Sequence, residues 1–287
     1  MSRIAYVNGR YVPHRNAAVH IEDRGYQFAD GVYEVCAVLD GELFDAPAHL
    51  DRFARSLAAL EIAWPMSRAA LMIVILEVIR RNRLHHGIVY FQVTRGVAPR
   101  DHAFPKTAVR PSLVVTAKHL NPQALERRCR DGVAVVTMAD ERWAHPHIKS
   151  ISLLPNVLAK QAAKRQGADE AWLVDRDGFV TEGASTNAWI VTKAGTIVTR
   201  PADGSILDGI TRQCLLRTAH HLNLPLEERA FTVAEAIQAQ EAFMSASSSF
   251  AVPVISIDGQ AIGSGKAGPV ATQLRDQARH FAHRRAV

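Results

Sequence analysis

A chain of 287 residues can build one large core or two modest ones, and 48% hydrophobic against 22% charged residues excludes the disordered and collagen-like classes. A net charge of +6 invites an anionic partner, but Lys and Arg are scattered in short clusters such as "RRNR" and "HRR", which argues against nucleic acid and suits a small anionic substrate or phosphate cofactor. Cys36, Cys129 and Cys214 are too widely spaced for a disulfide framework or thiolate metal site, and the apolar run "AALMIVIL" is far shorter than the roughly 20 residues of a membrane span. A reduced, cytoplasmic setting without a membrane partner is the expectation.

The chain opens with "IAYVNGRYV", two β-prone runs around the turn dipeptide Asn8-Gly9, and continues with a second hairpin, "YEVCAVLDGELFDA", turning at Asp40-Gly41. Helical periodicity follows over 47–61 and 67–83, the second with Leu71, Val74, Ile75 and Val78 on one face. "GIVYFQVTRG" and "PSLVVTAKHL" read as strands. "LNPQALERRCRDG" is polar, starts with Asn-Pro and lacks a clear period, so 121–131 is expected to connect two domains, 1–120 and 132–287.

Beyond it, "VAVVTMAD" reads as a strand and "LLPNVLAKQAAKRQG" as a helix with Leu154, Leu158 and Ala162 on one face and Gly167 at its stop. The hairpins "AWLVDRDGFVTEG" and "TNAWIVTKAGTIVTR" come next. Helices near 209–222 and 232–240, a strand at "AFMSAS", a hairpin at "PVISIDGQAIG" and a helix from about 268 complete an α+β (α/β) chain.

Some signatures fail on spacing. "GQAIGSGKAG" puts Gln260 where a phosphate loop needs its first glycine and Ala267 where it needs Ser or Thr. His145 and His147 lack a nearby third ligand, so no metal is expected. What remains can hold anions. Gly209, Ile210 and Thr211 open a helix, where unpaired N–H groups and the dipole favour a phosphate, and "SASSSF" adds Ser247 among four serines. Glu182 ends a strand, where a buried carboxylate needs a partner, and "TRGVAPRDHAFP" gathers Arg95, Arg100 and His102 in a loop suited to a carboxylate. Lys149 lies between a strand-like and a helix-like run. Each of these residues alone also reads as ordinary surface or capping chemistry. A Schiff-base lysine, an acid that keeps a pyridine nitrogen protonated and phosphate donors at a helix start are together the parts of a pyridoxal phosphate enzyme.

The motifs "EDRGYQFADGVYEV", "HLDRFARS", "YFQVTRGVAPRDHAFP", "IKSISLLPNVLAKQ", "VTEGASTN", "ILDGITR" and "PVISIDGQAI" run in order from residue 22 to beyond 260. In that order they resemble the class IV pyridoxal phosphate aminotransferases, and among them those acting on D-amino acids. The resemblance implies a two-domain fold-type IV enzyme, with a small N-terminal α+β domain and a larger β-barrel-like domain with helices that binds the cofactor. It makes Lys149 the Schiff-base lysine and general base, Glu182 the partner of the pyridine nitrogen, and Arg52, Ile210, Thr211 and Ser247 the phosphate contacts. Leu207 would pack on the ring, with Ser185 and Thr186 lining the same pocket. Tyr33, Arg100 and His102 match the trap for the substrate carboxylate, the last two usually lent by the partner of a homodimer. Branched-chain L-amino acid relatives generally lack the Arg-x-His pair, so D-amino acids and 2-oxo acids are the expected substrates. Branched-chain L-amino acid transfer, (R)-amine transfer and aminodeoxychorismate lyase activity are the rivals of the same fold. Ala246, where relatives often carry a hydroxyl, and "ERWAHPH" depart from the pattern.

Overall fold

The computed structural model describes residues 3–282 and 284–286. The chain divides into two compact units. The first comprises the residues up to Asn121, the short stretch Ile148–Ser152 and the C-terminal strand, and the second comprises Pro122–His147 and Leu153–Ala282.

In the first unit the order is β1 (Ile4–Val7), β2 (Arg10–Pro13), α1 (Arg24–Phe28), β3 (Gly31–Leu39), β4 (Glu42–Phe44), α2 (Ala46–Ala59), α3 (Arg68–Asn82), β5 (Gly87–Thr94) and β6 (Ser112–His119). Asn8-Gly9 and Asp40-Gly41 make the two tight turns, and all four residues have positive φ, which is why Asn, Asp and Gly stand there. With a last strand numbered in chain order below, the described residues form an antiparallel sheet in which β3 pairs β5, β5 pairs β6 and β6 pairs β1. Val32, Glu34, Cys36 and Val38 alternate inward along β3, so one inward position holds a carboxylate. α2 buries Ala46, His49, Leu50, Arg52, Phe53 and Leu57, and α3 buries Leu71, Val74, Ile75 and Val78 as their spacing predicts. Ile148 joins this core.

The second unit runs α4 (Pro122–Asp131), β7 (Val133–Ala139), α5 (Leu154–Arg165), β8 (Glu170–Val174), β9 (Val180–Gly183), β10 (Asn187–Val191), β11 (Ile197–Thr199), α6 (Ile210–His221), β12 (Leu226–Glu228), α7 (Val233–Gln238), β13 (Glu241–Ala246), β14 (Phe250–Ile257), β15 (Gln260–Ala261) and α8 (Pro269–Phe281). The strand β16 (Arg284–Ala286) returns to pair with β4 of the first unit. Among the described residues the sheet order is β12-β11-β10-β13-β14-β7-β8-β9 with β15 on β14, and β14/β7, β7/β8 and β11/β12 are parallel. Trp172, Trp189 and Phe243 are fully buried in it, and the Trp189 and Phe243 rings stack at 5.3 Å.

Two readings of the second unit change. The stretch 121–131, which shows no clear period in the sequence and is expected to connect two domains, is helical from Pro122. Leu125 and Cys129, four residues apart, pack on the core and supply the apolar stripe that its charged composition hides. In α5 the buried residues are Ala159 and Ala163, not the leucines: Leu154 is 68% and Leu158 59% exposed. Small side chains let this helix lie close to Val136, Ala171 and Leu173.

Candidate active site

In the first unit a lysine is built onto the edge of a strand. The short run around Lys149 pairs with the start of β3: the Tyr33 amide donates to the Lys149 carbonyl at 3.0 Å, the Ile151 amide to the Gly31 carbonyl at 3.0 Å, and Val32 and Ser150 form a bridge. The Lys149 amide donates to Ser56 Oγ at 3.2 Å, and Ser56 lies one turn beyond Arg52 on α2. The backbone of the lysine is therefore held by a strand and a helix, while its Nζ sits 4.3 Å from the centroid of the Tyr33 ring. The Tyr33 ring stacks on Tyr90 at 5.5 Å, and Tyr90 donates its hydroxyl to Gln92 at 2.6 Å. Burial, then the neighbouring Tyr33, pushes the Tyr90 phenol above its usual range, so it stays protonated.

Arg52 is locked beside it. Its Nε and Nη2 reach the two oxygens of Glu34 at 2.7 and 2.8 Å, and His49 Nδ1 lies 2.7 Å from Glu34 Oε2. All three side chains are buried. Burial alone would raise the Glu34 carboxyl, but Arg52 and then His49 hold it well below the ordinary carboxylate range. The result is an ionised fork that fixes the plane of the Arg52 guanidinium. Arg100 and His102 lie on an exposed loop of the same unit, against the ring of Phe28 at 4.5 Å and 5.3 Å.

In the second unit the centre is Glu182, buried near the end of β9. It accepts from Asn187 Nδ2 at 2.9 Å and from the Leu207 amide at 3.0 Å, and it is paired with Arg142. Arg142 also binds Asp140, through Nη2 at 2.7 Å, and Thr181 Oγ1 donates to the same Asp140 oxygen at 2.7 Å. Burial opposes charge on Asp140, but the bonds from Arg142 outweigh it and leave the carboxyl below its usual value. Burial likewise opposes charge on Arg142, and the bond to Asp140 with the charge of Glu182 more than reverses it. Glu182 thus faces a cation and two neutral donors, the partners that a buried carboxyl needs.

Around it stand the remaining candidates. Ser185 donates to the fully buried Glu170 at 2.6 Å, which Lys160 also meets at 3.0 Å. Thr186 Oγ1 is buried with no hydrogen-bond partner. Leu207 shares Asn187 Nδ2 with Glu182 through its carbonyl at 2.9 Å. Ile210 and Thr211 begin α6 behind Gly209, which offers no side-chain cap. A Cβ at Gly209 would fall 2.1 Å from Asn187 Oδ1, so only glycine lets the helix start approach Asn187. Ser247 lies in the turn between β13 and β14. Each residue set fits pyridoxal phosphate by its chemistry: a primary amine beside a fixed guanidinium in the first unit, and in the second a carboxylate, an unpaired hydroxyl and an uncapped helix start. Among the described residues no group of three His, Cys, Asp or Glu is placed to hold a metal, and no helix is long and apolar enough to cross a membrane.

The structure thus brings Lys149, Tyr33 and Arg52 together in one unit, and Glu182, Leu207, Ser185, Thr186, Ile210 and Thr211 in the other. Sequence reasoning missed Glu34, His49, Arg142 and Asn187. A carboxylate at an inward position of the β3 alternation is a signal that could have found Glu34. Arg142 lies in "ERWAHPH", a stretch read only as a departure.

Comparison with known proteins shows the family. The family model "Amino-transferase class IV" matches residues 31–257. D-alanine aminotransferase of Staphylococcus haemolyticus is 38% identical over 94% of this chain and 95% of its own length, and that of Bacillus licheniformis 42% identical over 93% of each. Among solved structures, a branched-chain amino acid aminotransferase of T.th. with pyridoxamine 5'-phosphate matches with a TM-score of 0.89 at 26% identity over 98% of this chain and 94% of that one. An Escherichia coli branched-chain enzyme matches at 0.84 and 24% identity, over 96% and 92%, a likeness of fold alone.

Proposed function

Since the chain belongs to the class IV aminotransferases, we propose that it moves the amino group of D-amino acids such as D-alanine and D-glutamate to a 2-oxo acid, 2-oxoglutarate or pyruvate, using pyridoxal 5'-phosphate. When bound, the cofactor supplies an aldehyde carbon for imine exchange and a ring that accepts the electron pair left at the substrate Cα. The observation that carries the reading is the clamped lysine: a primary amine whose backbone is fixed by β3 and Ser56.

Lys149 Nζ would hold the cofactor at rest and, as a free amine, would take the proton from the substrate Cα as base and then give it back as acid. Arg52, with its plane set by Glu34, would be a phosphate contact, and Ile210 and Thr211 at the start of α6 and Ser247 would be others. Glu182 would pair with the pyridine nitrogen, and Arg142 and Asn187 hold the Glu182 carboxyl in place. Leu207 would pack on the ring, and Ser185 and Thr186 would line its pocket. Tyr33, Arg100 and His102 take the substrate carboxylate, which selects α-amino acids over simple amines. Overall the donor would give up its amino group and leave as a 2-oxo acid with oxygen from water, and the acceptor would take up that amino group with the same residues in the same roles.

We also read the protein as a cytoplasmic homodimer. The support is that Ile21 and Tyr26, each 76% exposed, and Phe104 lie on the two segments that meet at the Asp23–Val97 bridge and carry Arg100 and His102, an apolar surface that a second copy would cover. Light scattering that gives a fully active monomer would overturn this. The second reading, branched-chain L-amino acid transfer, is favoured by the solved-structure matches. Donor assays with 2-oxoglutarate separate the two: turnover of D-alanine and not L-leucine is expected, and the reverse result would replace the first reading with the second.

A further inference from the structure

Below the loop that carries Arg100 and His102 lies a buried arginine that none of the chemistry above uses. Arg24 opens α1, the single turn capped by Asp23, and its Nε meets Asp30 Oδ2 at 2.8 Å. The rest of its fork crosses to the loop: Nη1 donates to the Asp101 carbonyl at 2.6 Å and Nη2 to the His102 carbonyl at 3.3 Å. Its backbone amide donates to the Gly96 carbonyl at 2.9 Å, at the base of the same loop. Phe28, four residues on and so on the same face of α1, lies 4.8 Å under the Arg24 guanidinium, and the Arg100 guanidinium and His102 ring rest on that same phenyl ring.

We propose that Arg24 is the positioning residue of the carboxylate trap: its fork pins the carbonyls of the two peptides that flank His102 and thereby sets where Arg100 and His102 point. This rests on the reading of those two residues as carboxylate ligands. A loop whose side chains are exposed has little packing of its own to fix it. Here the order comes from beneath, from a buried cation whose planar fork reaches a carboxylate and two carbonyls at once. Asp30 is shared: Arg95 also binds it, at 2.7 and 3.1 Å, anchors to the carbonyls of Leu60 and Glu61 and lies 3.6 Å from the ring of Phe104. Two guanidiniums thus stand on one carboxylate. This leaves Asp30 with a partner when Arg24 is replaced, so the unit retains its fold.

The test compares Arg24→Met, which keeps the contact with Phe28 but not the fork, with Arg24→Lys and with Arg100→Met, each as holoenzyme. The KM for D-alanine and the inhibition constant of propionate, a carboxylate without the amine, are expected to rise in parallel by about tenfold in Arg24→Met, with kcat changed less than about threefold. Arg24→Lys, whose single ammonium cannot span both carbonyls, is expected at about threefold for both constants. Amide exchange over 101–104 should quicken in Arg24→Met. Wild-type KM, inhibition constant and exchange in that variant overturn the proposal; if it folds poorly, wild-type constants in Arg24→Lys do so. Raised constants in Arg100→Met alone would sink only the role of Arg24, whereas wild-type constants in Arg100→Met overturn the trap reading and this proposal with it.

Discussion

In the first unit Glu34, His49 and Arg52 sit within a strand and a helix, and their charges are buried among aliphatic side chains, whereas in the second Asp140, Arg142, Glu182 and Thr211 sit at strand ends, a loop and a helix start. The first arrangement binds chemistry to folding: a carboxylate between a guanidinium and an imidazole, with no solvent to share the cost if one is removed. The second offers donors from backbone amides and an asparagine as well as an arginine, so Glu182 keeps partners when one is lost. Substitutions in the Glu34–His49–Arg52 cluster should therefore strike stability, and those around Glu182 the reaction.

Lys149→Ala tests the extreme, because its backbone bonds survive while its amine does not. Transamination should fall at least about a thousandfold with the fold intact, and the yellow colour that borohydride bleaches in the wild type should be absent from the spectrum. Glu34→Gln should lower unfolding free energy by about 3–5 kcal/mol in urea titrations, since the Arg52 charge loses its buried counterion. Glu182→Gln should do the opposite: kcat down about a hundredfold, measured by the D-alanine half-reaction, with a smaller loss of stability. If Glu34→Gln were harmless to folding and Glu182→Gln ruinous, the contrast between the units would be wrong.

Acid sharpens it further. The folded Glu34 carboxyl lies below its ordinary value, so the unfolded chain takes up the proton first. Its contribution is intact above the usual carboxylate range and is lost as pH falls below about 4.5. Asp140 shifts in the same direction but is less buried. Glu34→Gln should flatten the acid limb of the stability curve more than Asp140→Asn. The smallest effect is expected at the helix start, where Thr211→Ala should weaken pyridoxal phosphate binding roughly fivefold, in line with one lost hydrogen bond.

This division also explains what was readable in the chain. Glu182, Gly209 and Thr211 stand where local pattern changes, at a strand end and a helix start, and such places attract a chemical reading. Arg52 sits in a helix whose period is filled by Leu50, Phe53 and Leu57, so only resemblance to a family picked it out. Glu34 and His49 were not found because each needs the other two to make sense, and strand and helix meet only in three dimensions. α4 was passed over because Leu125 and Cys129 are a thin stripe among charges. The leucines of α5 share a face in the sequence and are exposed in the structure, because periodicity tells which residues share a face, not which face is covered.

The chain passes between its two units four times, after Asn121, His147, Ser152 and Ala282, and the second and third passages bracket the five residues that carry Lys149. A fragment ending at Asn121 would have β3 but not the segment that pairs with it. A fragment beginning at Pro122 would carry the lysine without its strand. No single cut yields both a whole first unit and its amine, so an exchange of units between related chains must carry at least the stretch 148–152 along with the N-terminal part, as a graft and not a splice.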